Sequence, residues 1–114
     1  MNGLEAGHCE PCHNGGLPLS PEESAPLLQE IPGWEIASVE GVARLGRTFT
    51  FPDFRSALDF TVRVGELAES EGHHPRLVTE WGRVRVEWWT HSAGGLHRND
   101  FIMATRTSAL ATGG

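Results

Sequence analysis

The spacing of apolar and polar residues along the chain predicts three helices and four strands. The first helix begins after Ser20, whose hydroxyl can cap it, and Glu23 stands where it would complete a capping box. Pro26 falls inside this helix and removes a backbone donor, so we expect a kink or a late start. Pro32-Gly33 ends the helix.

Two further helices follow from three- and four-residue spacing. Asp53 can cap a long helix over about 54–71, and Gly72 stands where a terminating glycine belongs. The last helix spans about 97–110. The predicted buried stripe of the long helix consists of Phe54, Ala57, Leu58, Thr61, Val62, Gly65 and Ala68.

Four segments with strand-like alternation form two predicted hairpins. Residues 34–39 and 44–51 make the first hairpin. Residues 77–81 and 83–90 make the second, with Gly82 at the turn. Alternate residues of a strand share a face, so one face of the last strand carries Val84, Val86 and Trp88.

The order helix, hairpin, helix, hairpin, helix predicts an α+β fold. We expect a four-stranded antiparallel sheet with three helices packed on one face. A length of 114 residues suits one domain. Residues 1–19 are rich in Gly, Pro, Asn and His without periodicity, so we expect a flexible arm there and a single domain over 20–114.

Charge and composition restrict the partners of the protein. The formal net charge is −6 and no basic stripe offsets it, which argues against nucleic-acid binding. No run approaches the roughly 18 apolar residues of a membrane span. The N-terminus lacks the basic start and apolar stretch of a secretory signal, so we expect a cytoplasmic protein without a membrane partner.

Three histidines are the strongest candidates for chemistry. His73 and His74 lie between a helix stop and a strand, and Pro75 biases His74 toward extended geometry. His91 ends the last strand, and hairpin geometry returns it to the level of the other two. Imidazole suits proton transfer near neutral pH because its unperturbed pKa is about 6.5. We therefore predict that the three rings line one cleft and act in acid–base catalysis.

Two other interpretations of these histidines stay open. The first is a polar loop and a strand end without chemistry. The second is a zinc site, since three histidines can hold zinc. We favour it less because adjacent histidines rarely point at one ion without strain and the usual ligand spacings are missing.

The histidines belong to a longer spaced set. An acidic residue, a His-His-Pro corner, an aromatic residue, a further histidine and an aspartate follow one another as Glu69, His73-His74-Pro75, Trp81, His91 and Asp100. In this set, and in the surrounding sequence over about residues 9–110, the chain resembles the pterin-4a-carbinolamine dehydratases.

The resemblance implies a fold, an activity and an assembly. The fold is a four-stranded antiparallel sheet with helices on one side. The activity is dehydration of 4a-hydroxytetrahydropterin to quinonoid dihydropterin and water, which recycles the pterin of aromatic amino-acid hydroxylases. The family uses neither a metal nor an organic cofactor and forms dimers or tetramers, so we expect no cofactor and a homodimer or homotetramer.

The resemblance also implies roles for particular residues. We predict His73, His74 and His91 as catalytic, with His73 and His91 as the acid–base pair and His74 orienting the pterin. Which histidine gives the proton and which takes it stays open. The predicted substrate-binding residues are Glu69, Pro75, Trp81 and Asp100. For Trp88 we favour packing in the sheet.

Two alternatives to the dehydratase are a binding module and a related enzyme. The binding module is exemplified by some animal relatives, which serve as dimerisation cofactors of a transcription factor. The related enzyme would act on a pterin linked to molybdenum cofactor.

The N-terminal segment contains a Cys-x-x-Cys-His pattern, which is typical of covalent haem attachment. We reject haem because it would need an export signal, a distal ligand and a haem-sized core. A zinc site is the remaining metal alternative, with a flexible arm favoured over it. Its ligands would be Cys9, Cys12, His8 and His13.

Overall fold

The computed structural model describes residues 18–112, apart from the side chains of Ser92 and Thr112. The predicted arm over 1–19 and the zinc alternative at Cys9, Cys12, His8 and His13 therefore lie largely or wholly outside the described residues. The helices are α1 Pro21–Gln29, α2 Phe54–Glu71 and α3 Arg98–Thr112. The strands are β1 Glu35–Val39, β2 Val42–Thr50, β3 Arg76–Glu80 and β4 Arg83–Trp88, and a 3-10 turn covers His91–Ala93.

The four strands form one antiparallel sheet in the order β1-β2-β4-β3, which confirms the predicted fold class and element order. Leu45 of β2 pairs with Trp88 of β4, and Leu77 of β3 pairs with Val86. The helices pack on the face that carries these residues, where Val86 and Trp88 are fully buried. The opposite face has no described helix on it and carries most of the charged residues of the sheet.

The helix ends follow the predicted capping signals. In α1 the Glu23 N–H donates to the Ser20 hydroxyl and the Ser20 N–H donates to the Glu23 carboxylate, so the capping box is present. Asp53 caps α2 by accepting from the Ser56 N–H at 2.8 Å. This bond is the main reason why the pKa of the exposed Asp53 carboxyl lies below its usual range.

The predicted buried stripe of α2 is wrong for Phe54 and Val62, which are exposed. The buried residues of this helix are Ala57, Phe60, Val64 and Ala68. The Phe60 ring packs against the rings of Phe49 at 4.8 Å and Phe51 at 5.1 Å. These contacts set the rotation of α2 about its axis and leave the other apolar side of the helix outside the core.

The last strand is shorter than predicted, because β4 ends at Trp88 rather than at residue 90. Thr90 instead forms an isolated bridge with Gly95, to which it donates a backbone hydrogen bond of 2.8 Å. The chain between them turns back on itself, so His91 begins a 3-10 turn instead of ending a strand.

Candidate active site

The end of α2 places the first histidine. Gly72 has the left-handed φ of 66° and ends the helix; its N–H donates to the Glu69 carbonyl, and the His73 N–H donates to the Ala68 carbonyl. These two bonds form a Schellman motif, for which glycine is the favoured residue because it has no Cβ. The motif therefore fixes the backbone from which the His73 side chain projects.

His73 is held by a buried carboxylate. Its Nε2 lies 2.6 Å from Oδ1 of Asp100, which is fully buried. The other carboxylate oxygen accepts hydrogen bonds from the Thr90 hydroxyl and the His97 N–H, both at 2.8 Å. A carboxylate in its ionised form can only accept, so this contact fits a His73 ring that donates through Nε2 and keeps Nδ1 outside the pair.

The first turn of α3 positions Asp100. It is the third residue of that helix and accepts the His97 N–H, which is one half of a capping box. The His97 ring supplies the other cap by accepting from the Asn99 N–H at 3.0 Å through Nδ1. The positive end of the helix dipole further favours a carboxylate at this position.

The Trp88 ring packs against the ring of His73. The two rings stack at 5.5 Å with an interplanar angle of 8°. Trp88 is fully buried and donates from Nε1 to the Thr107 hydroxyl at 3.1 Å, so it packs in the core as expected. The stack and the carboxylate together leave the His73 side chain only 10% exposed.

His74 has different surroundings from its neighbour. Its Nε2 lies 2.6 Å from a carboxylate oxygen of Glu69, in the last turn of α2, and its side chain is 60% exposed. Even when charged, an exposed pair of this kind contributes little to stability, so the geometric effect of this contact is to orient the ring.

His91 is connected to the His73–Asp100 pair through its chain neighbour Thr90. The last pair of the β3–β4 ladder is Arg76 with Glu87, so continuing it by three residues brings His73 level with Thr90. Thr90 binds the carboxylate that also holds His73, and His91 is the next residue. The His91 ring is exposed and packs against Trp89 with ring centroids 4.8 Å apart.

Trp81 and Pro75, two of the predicted substrate-binding residues, differ in how close they lie to the histidines. Trp81 lies in the turn between β3 and β4 and is 71% exposed. Five residues of extended chain separate it from Arg76, which corresponds to about 17 Å at a rise of about 3.3 Å per residue. The structure therefore does not bring Trp81 to the histidines of its own chain. Pro75 is half-buried and leads directly from His74 into β3.

Sequence reasoning missed several residues around the site. Thr90 binds the same carboxylate as His73, and Arg44 and Trp89 lie on the helix-free face close to His91. The alternation of the predicted last strand places Trp89 on this face, but its contact with Arg44 of β2 depends on which strands pair. The spacing of His97 and Asp100 is that of a capping pair, a signal that points to Asp100 as a structural carboxylate.

Glu87 is the electrostatic centre of the helix-free face. Its carboxylate binds Arg44 at 3.2 Å and both Arg76 and Arg85 at 3.3 Å. Burial raises the pKa of Glu87, but the hydrogen bonds from Arg44 and Arg85 and the charges of Arg76 and Arg85 outweigh it. The pKa therefore lies below its ordinary value of 4.5.

Within residues 18–112, histidines, cysteines and carboxylates do not gather in groups of three that would suit a metal ion. His73 and His74 instead pair with two different carboxylates. Among the helices of the same residues, none combines the length and the apolar character that crossing a membrane requires.

The fold and the site define an α+β protein whose histidine–carboxylate pairs lie where α2, β4 and α3 meet. A sequence model described as pterin 4 alpha carbinolamine dehydratase matches residues 17–110. A provisionally named pterin-4-alpha-carbinolamine dehydratase of Chlorobium limicola is 67% identical over 113 residues, covering 99% of this chain and 100% of that protein. A protein of the same provisional name from Chlorobaculum tepidum is 54% identical over 110 residues, covering 96% and 99%. The chain belongs to the pterin-4a-carbinolamine dehydratase family.

Solved structures have the same fold. A transcriptional coactivator/pterin dehydratase from Brucella melitensis superposes with a TM-score of 0.75 at 33% identity, covering 82% of this chain and 98% of that chain. A pterin dehydratase-like protein, identified as a RuBisCO assembly factor in the alpha-carboxysome, superposes with a TM-score of 0.59, covering 69% and 89%. At 20% identity the second likeness shows the fold alone.

Proposed function

We propose that the protein is a hydro-lyase that removes water from 4a-hydroxytetrahydropterin and releases quinonoid dihydropterin. The observation that carries this proposal is the His73–Asp100 pair, in which a buried carboxylate fixes one ring nitrogen and leaves the other for the substrate. Membership of the dehydratase family supplies the substrate class.

The reaction needs one proton donor and one proton acceptor. Hydroxide is a poor leaving group, so an acid protonates the oxygen on C4a while the C4a–O bond breaks and water departs. The N5 lone pair forms the new double bond to C4a, and a base then removes the N5 proton. The enzyme gives one proton and takes one, and each positioned group typically contributes about 100- to 10,000-fold to the rate.

His73 is suited to the role of the base. Its Nε2–H points at the Asp100 carboxylate, so a neutral ring has its lone pair on Nδ1. When Nδ1 takes the N5 proton, the adjacent carboxylate stabilises the imidazolium that forms. The same arrangement of carboxylate and histidine serves general bases in hydrolases.

His91 is then the acid, and His74 orients the pterin. Within residues 18–112 the His91 ring is exposed and makes no hydrogen bond to a carboxylate, so both nitrogens can serve the leaving oxygen. The Glu69 carboxylate holds the exposed His74 ring, which follows His73 in the chain. We assign the surrounding positions of the pterin to Glu69 and Pro75, and to Trp81 only from a second copy of the chain.

A direct dehydration assay tests the proposal. Synthetic 4a-hydroxytetrahydropterin is mixed rapidly with the protein, and formation of the quinonoid product is followed by absorbance. We expect a rate well above both the spontaneous rate and the rate with free imidazole at the same concentration of rings. A rate equal to the imidazole control would overturn the dehydratase proposal and favour a binding role, which the coactivator name of the Brucella relative also suggests.

A further inference from the structure

The ring of His91 is positioned differently from the other two site histidines. His73 and His74 each bind a carboxylate at 2.6 Å. Among residues 18–112, His91 has no such partner, and its side chain is exposed at the start of a 3-10 turn. An exposed side chain without a hydrogen bond normally samples several rotamers, so a catalytic His91 needs another means of orientation.

Trp89 supplies the contact that His91 otherwise lacks. The two residues are separated by one position, and their ring centroids are 4.8 Å apart with planes tilted by 51°. This separation and tilt fall in the range that aromatic pairs prefer. Trp89 follows the fully buried Trp88, so strand alternation turns its indole to the helix-free face, where it is half-buried.

Arg44 of β2 in turn covers the indole of Trp89. The guanidinium carbon lies 3.9 Å from the ring centroid, which is a close cation–π contact. The Nε of Arg44 is buried and makes no hydrogen bond within the described residues. The guanidinium thus contacts the indole face and, through one of its terminal nitrogens, the Glu87 carboxylate.

Glu87 fixes Arg44 in place. Its carboxylate accepts from Arg44 at 3.2 Å, and both side chains are largely buried. Because Glu87 of β4 also binds Arg76 and Arg85, it connects β2, β3 and β4 on the helix-free face. The contacts run continuously from this carboxylate through Arg44 and Trp89 to the His91 ring.

We propose that Trp89 and Arg44 are positioning residues for His91: the indole holds the imidazole in its productive rotamer, and the guanidinium holds the indole. The catalytic part of this inference rests on the proposed function, whereas the conformational part does not. If His91 acts on the leaving oxygen only in the transition state, loss of its orientation lowers kcat and leaves KM unchanged.

Kinetic comparison of matched variants tests the catalytic part. We expect Trp89→Leu to lower kcat by about 10- to 100-fold, because misplacing a catalytic group costs factors of this size, with little change in KM. Trp89→Phe keeps an aromatic surface and recovers most of the rate. Arg44→Met keeps the apolar stem without the charge and lowers kcat less than Trp89→Leu does.

The control is Arg83→Met on the same face of the sheet. Arg83 is exposed and paired with Glu80, but it lies at the Trp81 end of β4. We expect this variant to retain the wild-type kcat and KM. An unchanged kcat in Trp89→Leu overturns the proposal, and so does a raised KM at constant kcat, since that result makes Trp89 a wall for the substrate instead.

A spectroscopic readout tests the conformational part without any activity. The indole ring current shifts the NMR signals of the His91 ring protons, which are assigned with His91→Asn. We expect this shift to disappear in Trp89→Leu and to weaken in Arg44→Met, with little change in Arg83→Met. If Trp89→Leu does not fold, Arg44→Met and Trp89→Phe decide the matter.

The two readouts separate this inference from the proposed function. A wild-type protein without dehydratase activity overturns the function, while the ring-current shifts still test whether Trp89 and Arg44 orient His91. Unchanged His91 signals in both Trp89→Leu and Arg44→Met overturn the inference even in an active enzyme.

Discussion

Two adjacent histidines have opposite surroundings at this site. His73 is 10% exposed and bound to the buried Asp100, whereas His74 is 60% exposed and bound to Glu69 at the end of α2. Pro75 favours extended geometry at His74, and successive side chains of an extended chain point in opposite directions. The His-His-Pro corner therefore presents one ring to the core and one to solvent.

The hydrogen bonds of Asp100 lead to a prediction for Asp100→Asn. The amide NH2 would replace either the oxygen that faces His73, which then loses the acceptor that fixes its tautomer, or the oxygen that faces Thr90 and His97, where the His97 N–H then loses its acceptor. We expect kcat to fall by about 100- to 10,000-fold, as expected when a positioned base loses its carboxylate. Rapid-mixing kinetics and urea unfolding measure the two effects.

The matched control for this variant is Asp59→Asn. Asp59 is exposed on α2, and its ion pair with Arg55 has a separation of 4.0 Å. We expect neither the rate nor the stability to change, because exposed pairs contribute little. A wild-type rate in Asp100→Asn would refute the role given to Asp100.

At the scale of elements, helix termini place the reacting groups. The glycine that ends α2 fixes the backbone of His73, and the first turn of α3 fixes Asp100. Both ends are recognisable in the sequence, as Gly72 and as the spacing of His97 and Asp100. The site thus depends on the same local bonds that stop and start the helices.

A pair of glycine variants in α2 tests this dependence. Gly72→Ala places a Cβ at a left-handed φ of 66° and should lower the free energy of unfolding by about 1–2 kcal/mol. Gly65→Ala lies inside the helix, and nothing besides the helix's own backbone and the two chain neighbours lies within 4 Å of the new Cβ, so it should stabilise by about 0.5–1 kcal/mol.

Activity distinguishes the two glycines further. Gly72→Ala should also lower kcat, because the strain lies directly before His73, whereas Gly65→Ala should leave kcat unchanged. Denaturant unfolding and the dehydration assay on both proteins provide the measurements. Equal stability and equal rates for the two variants would contradict the role of the helix terminus.

The elements differ in how far the sequence predicts them. The element order and the caps at Ser20, Asp53 and Gly72 are confirmed, since they depend on local hydrogen bonds. The exposure of Phe54 and Val62 was not predictable from spacing, because α2 has apolar residues on two sides. Contacts with the rings of the sheet decide which side is buried.

The candidate site shows the same division between local and long-range information. The spaced set of histidines and carboxylates identifies His73, His74, Glu69 and Asp100, which the structure brings together in two pairs. The contact of Arg44 with Trp89 depends on pairing between β2 and β4, strands about forty residues apart in sequence. No local pattern encodes that pairing.

At the scale of the whole molecule, the sheet separates two kinds of surface. One face is buried under the helices, and the other carries the charges gathered around Glu87. The strands β1 and β3 form the two edges, and unpaired edges favour association between copies. A homodimer or homotetramer stays a prediction, and only a second copy could bring Trp81 to the histidines.

The charge cluster predicts how stability responds to acid. The pKa of Glu87 is lower in the folded protein than the ordinary value of 4.5, so its contribution to stability is present above that value. The contribution is lost as the pH falls through the lowered pKa. We expect the free energy of unfolding to fall less steeply with acid in Glu87→Gln than in the wild type.

Urea unfolding at several pH values measures this slope, and Glu80→Gln is the control. Glu80 is exposed and forms an ion pair only with Arg83 among the described residues, so its removal should leave the acid slope unchanged. Identical slopes for the wild type and Glu87→Gln would contradict the account of the cluster.

In the proposed dehydration, His73 and His91 carry the two proton transfers. The most direct measurement of these roles is the dehydration rate of His73→Gln and His91→Gln beside the wild type. Glutamine at position 73 can still donate to Asp100, so the fold is kept while the titrating ring is lost. We predict that each variant falls about 100- to 10,000-fold toward the spontaneous rate. A near-wild-type rate in either variant would contradict this assignment.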